Sequence, residues 1–450
     1  ALSGQAAGVN VTSGENRIAQ LSSVRVRGTT SLTGGNDPLV IIDGVYSDLS
    51  TLSSIYPADI ESFTILKNAA ETAKYGSRGA SGVIQVTTKK GHGSMFHISY
   101  DGNIGFESKY KTIDMLQRNG YISTAKTLGL DYNDGGYNTD FQDAVTRTGI
   151  VQNHHIAFSG GSESSNYRAS IGVMDHKTII KVNEYQNFTA KFDLSQKAFD
   201  NLLSIDFGVF GASQKNNYIF DEQKLFYSAA TQNPTFPEGM NASGGWDKNS
   251  TASQINPPGA LLKEKNDDKN LNFNTHLGLD FTLEKELHLK LFGSYSYNSL
   301  KNAVFCPTWV WAQGQAYRGE HKTEDMLGNA TLEWKHSWGI HTIEATAMTE
   351  YQKSKHSGFW TLVKGFTTNE LGYDNLAAAS ARPYGGTGSD YTESSLASAM
   401  GSVSYTLLNR YTVAGNMRAD GSSMFGDNNK WGIFPSISGT WDVAAEPFFK

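Results

Sequence analysis

LNFNTHLGLDFTL, residues 271–283, alternates apolar and polar side chains through its whole length. Successive residues of a strand point to opposite faces. One face therefore carries Leu271, Phe273, Leu277, Leu279, Phe281 and Leu283, and the other Asn272, Asn274, His276 and Asp280. Such a strand separates an apolar medium from a wet one. A strand of a water-soluble sandwich alternates in the same way, so the period alone leaves both architectures open. The texture starts near Met95, where Phe96, Ile98 and Tyr100 alternate with His97, Ser99 and Asp101.

The connections decide between them. Twelve strands are predicted, over 95–106, 151–160, 166–174, 186–194, 201–211, 270–283, 287–298, 326–336, 340–351, 395–408, 411–420 and 432–444. One set of gaps is short: 161–165, 195–200, 284–286, 337–339 and 409–410. The other set is mostly long: 107–150, 175–185, 212–269, 299–325, 352–394 and 421–431. An up-and-down meander with short turns at one end and long loops at the other is the pattern of an outer-membrane β-barrel. The apolar face would meet lipid and the polar face, with Lys191 and Asp193 opposite Ala190, Phe192 and Leu194, a wet lumen. Tyr295, Tyr297, Trp334, Tyr405 and Trp441, near strand ends, suit interfacial girdles.

Composition fits. A single Cys removes disulfide scaffolds and Cys-based zinc sites. A net charge of −6 gives no electrostatic case for nucleic acid. An aromatic content of 12% argues against disorder. No apolar run approaches the roughly 18 residues of a membrane helix, which a barrel does not need. The N-terminus, ALSG at 1–4, has neither a basic nor an apolar leader region, so a signal peptide is expected to be absent or removed.

Residues 1–91 read differently, as a compact α+β unit preceding a barrel portion at 92–450. A strand is predicted at 23–27 and a turn at 33–37 before Pro38. The nearly continuous apolar run 39–43 reads as a strand buried on both faces, followed by an Asp43-Gly44 turn. Residues 59–75 read as a strand and then a helix stopped by Gly76, and 83–87 as a further strand.

Within this unit stand VRVRGT (24–29), PLVIIDGV (38–45), DIESFTILKNA (59–69) and YGSRGASGVIQVTTKKG (75–91). Together they resemble the plug of a SusC/RagA-type TonB-dependent outer-membrane transporter. Further matches are NHHIAFSGG (153–161), RADGSSMFG (418–426) and NKWGIFPS (429–436), so the resemblance runs from residue 24 to the end. The chain departs from the family pattern at Val40, Tyr46, Asn68, Lys74 and Met424. The resemblance implies a membrane β-barrel, antiparallel and up-and-down, with an N-terminal α+β plug domain in its lumen. Transporters of this type close at about 22 strands, so 12 would leave the wall roughly ten short. The chain is expected to be a piece of a longer protein that also has a TonB-contacting segment.

The implied function is TonB-dependent active import of a bulky nutrient, most often an oligosaccharide, across the bacterial outer membrane. The implied partners are a SusD-like surface lipoprotein, TonB of the inner-membrane energising complex, and outer-membrane lipid, with no nucleic acid. A peptide importer of the same family and a non-transporting receptor or adhesin are the alternatives. A soluble β-rich carbohydrate-binding module is a further one.

No catalytic motif accompanies this: HExxH, GxSxG, GxxxxGK[ST] and CxxC are all missing, and no enzyme is expected. His154 and His155 are adjacent, so on a strand they face opposite sides and share no metal. Asp131, Asn133, Asp134, Asn138 and Asp140 form a carboxylate- and amide-rich loop without EF-hand register. No cofactor or metal is expected; calcium in that surface loop is the alternative to a simply solvated loop. The plug charges Arg25, Arg27, Glu61, Lys67 and Arg78 are predicted plug–barrel contacts, with Lys191, Asp193, Asp206, Asp280, Lys290 and Glu344 as wall partners. Trp246, Trp309, Trp311, Tyr317, Trp360 and Tyr373, with Tyr384, are predicted to bind substrate, because aromatic faces beside amides hold sugar rings and peptides. Residues 220–236 carry helical potential, ended by Pro234 and Pro237.

Overall fold

The structure, a computed structural model, describes residues 10–13, 21–26, 36–67, 69–93, 95–249, 256–426 and 428–449. Arg27 and most of the predicted turn at 33–37 lie outside them. Among the described residues, β1 (Asn10–Ser13) pairs with β2 (Leu21–Arg25). β3 (Leu39–Ile42), β4 (Val45–Ser47), β5 (Ile60–Leu66) and β6 (Val83–Thr88) form a four-stranded sheet in the order β4-β3-β6-β5. The β3–β4 hairpin turns on Asp43 (φ 50°) and Gly44 (φ 86°), the paired positive φ values that an Asp-Gly hairpin turn supplies. Helix α1 (Leu49–Ser54) is capped by Asp48, whose carboxylate accepts from the Thr51 amide at 2.7 Å.

The helix predicted after β5 is a correction. It is one turn, α2 (Ala69–Thr72), followed by 3-10 turns over Ala73–Gly79. Gly76 does not end a helix; it breaks the turns from inside with φ 58° and ψ −141°.

The wall is a single antiparallel sheet of twelve strands in chain order, each pairing with its sequence neighbours. The strands are β7 (His97–Glu107), β8 (Gly149–Gly161), β9 (Ser165–Lys177), β10 (Glu184–Ala198), β11 (Leu203–Asn217) and β12 (Lys265–Glu284). They continue as β13 (Leu287–Cys306), β14 (Gln315–Trp338), β15 (His341–Lys364), β16 (Thr387–Leu407), β17 (Tyr411–Ser422) and β18 (Trp431–Trp441). Every predicted wall strand has its counterpart. No helix among the described residues is long and apolar enough to cross a membrane. β7 and β18 are the two edges of the sheet.

The strand ends correct the reading at the long-loop side. β14 and β15 each run 24 residues, roughly 80 Å at about 3.3 Å per residue. The predicted long connections over 299–325 and 175–185 are therefore the short segments 307–314 and 178–183. The hydrogen-bonded ladder continues after apolar alternation has stopped. Alternation marks only the lipid-facing band, which needs about 9–11 residues.

That band is visible on the outward face. On β13 it runs from Leu287 through Leu289, Leu291 and Tyr295 to Tyr297, and then gives way to Ser299 and Lys301. On β12, Leu271, Phe273 and Leu277 are 48%, 37% and 45% exposed. A sandwich would bury these side chains against a second sheet; here the apolar face is free for lipid. At the short-turn end Trp334, His336, Trp338, His341 and Tyr405 stack in an unbroken row, with successive centroids 5.4–5.9 Å apart. Such amphipathic rings suit a membrane interface.

The inward face is polar and buried by the N-terminal unit. Val24, Val40, Leu52, Ile55, Ile84 and Val86 form the core of that unit, and Phe210 and Ala212 of β11 complete it. Among the described residues the plug and the wall thus share this apolar contact, Phe292 of β13 lies against Gly44, and polar contacts join them elsewhere.

Candidate functional site

Three polar junctions fasten the plug to the wall. The first centres on Asp59, which ends a 3-10 turn (Pro57–Asp59) and is 2% exposed. Its Oδ1 accepts from Arg168 Nη2 of β9 at 2.7 Å. Its Oδ2 accepts from Ser170 Oγ at 2.9 Å and faces His155 Nε2 of β8 at 3.0 Å. Tyr56 stacks on the His155 ring at 4.6 Å. A carboxylate this deeply buried requires such partners.

The second junction joins Asp43, Lys191 and Asp193. Asp43 accepts from the Thr88 amide at 2.9 Å and from its hydroxyl, tying the hairpin turn to β6. Lys191 Nζ of β10 lies 3.8 Å from Asp43 and donates to Asp193. Nearby, Lys90 pairs with Asp206 of β11, which also accepts from Ser195 at 3.0 Å and meets His276 Nε2 at 3.0 Å.

The third centres on Arg418 of β17, 2% exposed. It donates to Asp420 Oδ1 at 2.7 Å, Glu350 Oε1 at 3.1 Å and Ser398 Oγ at 2.9 Å, and to the Lys74 carbonyl of the plug. Gly76 is required here. A Cβ at its position would lie 2.1 Å from Asp420 Oδ2 and 2.8 Å from Arg418 Nε. Tyr46, one of the departures from the family pattern, donates to Glu350 at 3.4 Å. Burial first, and the Glu350 carboxylate second, raise its phenol above the ordinary tyrosine value.

The predicted contact residues are only partly those used. Arg25 pairs with Asp37 of the plug itself at 3.6 Å. Glu61 is exposed, Lys67 follows the end of β5, and Arg27 lies outside the described residues. Arg78 lies over the Tyr46 ring at 5.7 Å and lines a ≈ 130 Å³ cavity between plug and wall, with Asn274, Asn298 and Gln352. On the wall, Lys191 and Asp206 meet the plug, and Asp193 holds Lys191 there. Asp280, Lys290 and Glu344 instead pair along the wall with His288, Glu333 and Lys335. Asp43, Asp59 and Lys90 were missed as contacts. The signal was present for Asp43, an acid closing an apolar run that would be buried and so need a cation or donors.

The predicted substrate aromatics do not all gather at one place, though two of them meet. Trp246 and Trp309 meet edge to face at 6.2 Å. Trp311 lies under Lys364 at 5.4 Å. Trp360 stacks on His321 at 6.4 Å, and Tyr317 lies elsewhere on β14. Tyr373 packs beside the Phe305, Val363 and Phe366 cluster, donates to Asp267 and lines a cavity of ≈ 1050 Å³ with Tyr218, Arg318 and Phe359. Tyr384 is fully exposed.

The long loops fold together. Phe141, Val145, Ile180, Ile219, Leu225 and Phe236 form one apolar cluster. The predicted 220–236 helix is Glu222–Thr231, capped by Asp221 accepting from the Lys224 amide at 2.8 Å. Beside it opens a cleft of ≈ 800 Å³ lined by Tyr121, Tyr132, Asp131, Gln142, Asn233 and Asn249 among others. Aromatic faces beside carboxamides and a carboxylate match the polar edges and apolar faces of sugar rings. Its residues come from two loops about a hundred positions apart, so spacing did not reveal it. In the acidic loop, Arg118 donates to Asp134 at 2.9 and 2.7 Å and holds that carboxyl below its ordinary value. Asp140 caps the turn Phe141–Ala144, accepting from the Gln142 and Asp143 amides.

Residues 1–83 match the TonB-dependent receptor plug domain. TonB-dependent receptor SusC of Bacteroides thetaiotaomicron is 32% identical over all of this chain and 48% of its own length. TonB-dependent receptor P3 of Formosa agariphila is 30% identical over all of this chain and 46% of its own. The RagAB peptide transporter structure superposes on 98% of this chain, and 55% of its own, with a TM-score of 0.79 at 20% identity. At that identity the likeness is one of fold. The chain spans about half the length of the curated relatives it matches.

Proposed function

The chain belongs to the TonB-dependent receptors of the SusC/RagA type, and from that premise we propose that the complete protein imports an oligosaccharide across the bacterial outer membrane. TonB supplies the energy, and a SusD-like surface lipoprotein captures the ligand and covers the barrel mouth. The observation that carries this reading is how the plug is held. Buried ion pairs to β9 and β10, and hydrogen bonds of Arg418 and Glu350 to the Lys74 carbonyl and the Tyr46 hydroxyl, bind it to the lumen wall, beside an apolar contact with Phe210 and Ala212.

An apolar interface resists separation in proportion to its area, whereas a few polar junctions rehydrate as water follows a moving plug. A pull on the N-terminal side of the plug would open them in turn. The ligand would first bind in the loop layer, where the tyrosine- and amide-lined cleft suits neutral polyols. The lumen wall below continues the same chemistry: Asn298 donates to Asn270 at 3.0 Å, and Asn272 and Asn274 are buried beside them.

Growth of a gene-deletion strain on defined oligosaccharides and on defined peptides tests the substrate class. Growth is expected to fail on at least one oligosaccharide and to persist on peptides. Failure on peptides alone would replace oligosaccharide by peptide, and undiminished growth on both would point to a non-transporting receptor.

A further inference from the structure

Above the lipid-facing band, on the inward face of the wall, three side chains from adjacent strands converge on a space where a fourth side chain is missing. Gly358 of β15 is paired directly with His321 of β14 on one side and Asp390 of β16 on the other. His356 precedes it by one inward position on the same strand. A Cβ at Gly358 would lie 2.1 Å from Asp390 Oδ1 and 2.7 Å from His321 Nδ1. The glycine therefore leaves the hole into which an imidazole nitrogen and a carboxylate oxygen point. His356 Nε2 stands 3.8 Å from Asp390 Oδ2, and one ligand atom from each of the three lies within 4.8 Å of the others.

We propose that His321, His356 and Asp390 bind one divalent transition-metal ion of the zinc class in the wall of the extracellular vestibule. Two imidazoles and one carboxylate suit zinc, copper or nickel, whereas calcium and magnesium prefer all-oxygen sets. Ligands about 2.0–2.2 Å from a shared tetrahedral ion lie roughly 3.3–3.6 Å apart. The three ligand atoms, within 4.8 Å of one another, would close by on the order of 1 Å through side-chain rotation, which is open to them because none of the three is fully buried.

The surroundings are those of an oriented ligand set. Thr323 Oγ1 lies 3.2 Å from His356 Nδ1, which leaves Nε2 for the ion. Trp360 stacks on the His321 ring with planes 21° apart and limits its rotation. Three protein ligands leave a coordination position open toward the vestibule, where a water or a ligand oxygen would complete the shell. Neither His-His adjacency nor short spacing announces the site, because its members are spread over 321–390 and only the sheet register assembles them.

Zinc chloride titrated into the complete receptor in detergent, followed by calorimetry and by competition with a chromogenic chelator, tests this without reference to import. One zinc per chain is expected, with calcium chloride failing to compete. His321→Ala, His356→Ala and Asp390→Asn should each weaken zinc at least tenfold. Gly358→Ala keeps every ligand and fills the hole, and should weaken zinc as much. Heat-modifiable gel migration reports whether each variant is folded. Absence of a wild-type site, or zinc affinity unchanged in a folded Gly358→Ala variant and in any folded ligand variant, would overturn the assignment. Neither result bears on nutrient import.

Discussion

Arg418→Ala in the complete receptor is expected to destabilise the wall around this junction by about 3–5 kcal/mol, the usual consequence of removing one partner from a buried ion pair, and to loosen the plug segment it holds. Arg418 is 2% exposed and serves Asp420, Glu350, Ser398 and the Lys74 carbonyl together. Alanine would leave two carboxylates in a lumen from which the plug excludes water, with only the Tyr46 hydroxyl and Gln352 still donating to Glu350. The cheapest response is to let water in by lifting the segment around Gly76, which lies against Asp420 and Arg418. Limited proteolysis in detergent should then cut the plug within residues 69–93 many times faster than in wild type. Arg418→Lys keeps the charge but loses the planar fork, and should fall between the two. A plug as resistant in Arg418→Ala as in wild type would show that this junction carries none of the docking.

Asp59→Ala should have a comparable effect on the opposite side of the plug, again about 3–5 kcal/mol. The carboxylate is the acceptor for Arg168 Nη2 and Ser170 Oγ, and His155 Nε2 faces it at 3.0 Å. Alanine strands a guanidinium that is only 9% exposed. Part of the cost is therefore an uncompensated cation, and removing that cation should recover much of it. The double variant Asp59→Ala, Arg168→Met is expected to be more stable than Asp59→Ala alone, a coupling that a double-mutant cycle in urea would measure. The Asp59 and Arg418 junctions share no residue, so their effects should add to within about 0.5 kcal/mol. Additive costs with no recovery in the double variant would mean that Asp59 and Arg168 do not act as a pair.

Much of the architecture was legible because it is written in short-range pattern. Leu271 to Leu283 states its two faces residue by residue, and the alternation of short and long gaps fixes the meander. The strand ends were not legible. Beyond Tyr297 and Tyr351 both faces of the wall are wet, so no alternation distinguishes strand from loop although the ladder continues to Cys306 and Lys364. Charge pairing was hidden for a different reason. Asp59 meets Arg168, and Arg418 meets Lys74, across separations of 109 and 344 residues. Residue type identified Arg25 and Glu61 as candidates equally well, yet the first pairs within the plug and the second faces solvent. Gly76 reads as a helix stop in the sequence because a glycine after an alanine-rich run usually is one. Its role as a point of close approach depends on a strand that follows it by more than three hundred residues.

Polar junctions hold the plug, and in the proposed function a pull from the inner-membrane side separates them. Uptake and surface binding of one labelled oligosaccharide, measured on cells carrying the complete receptor with its TonB-contacting segment deleted, decide whether that pull is needed. Binding at wild-type level with no uptake is the predicted result. Uptake that continues in the deletion would contradict the claim, since the plug would then open without being pulled.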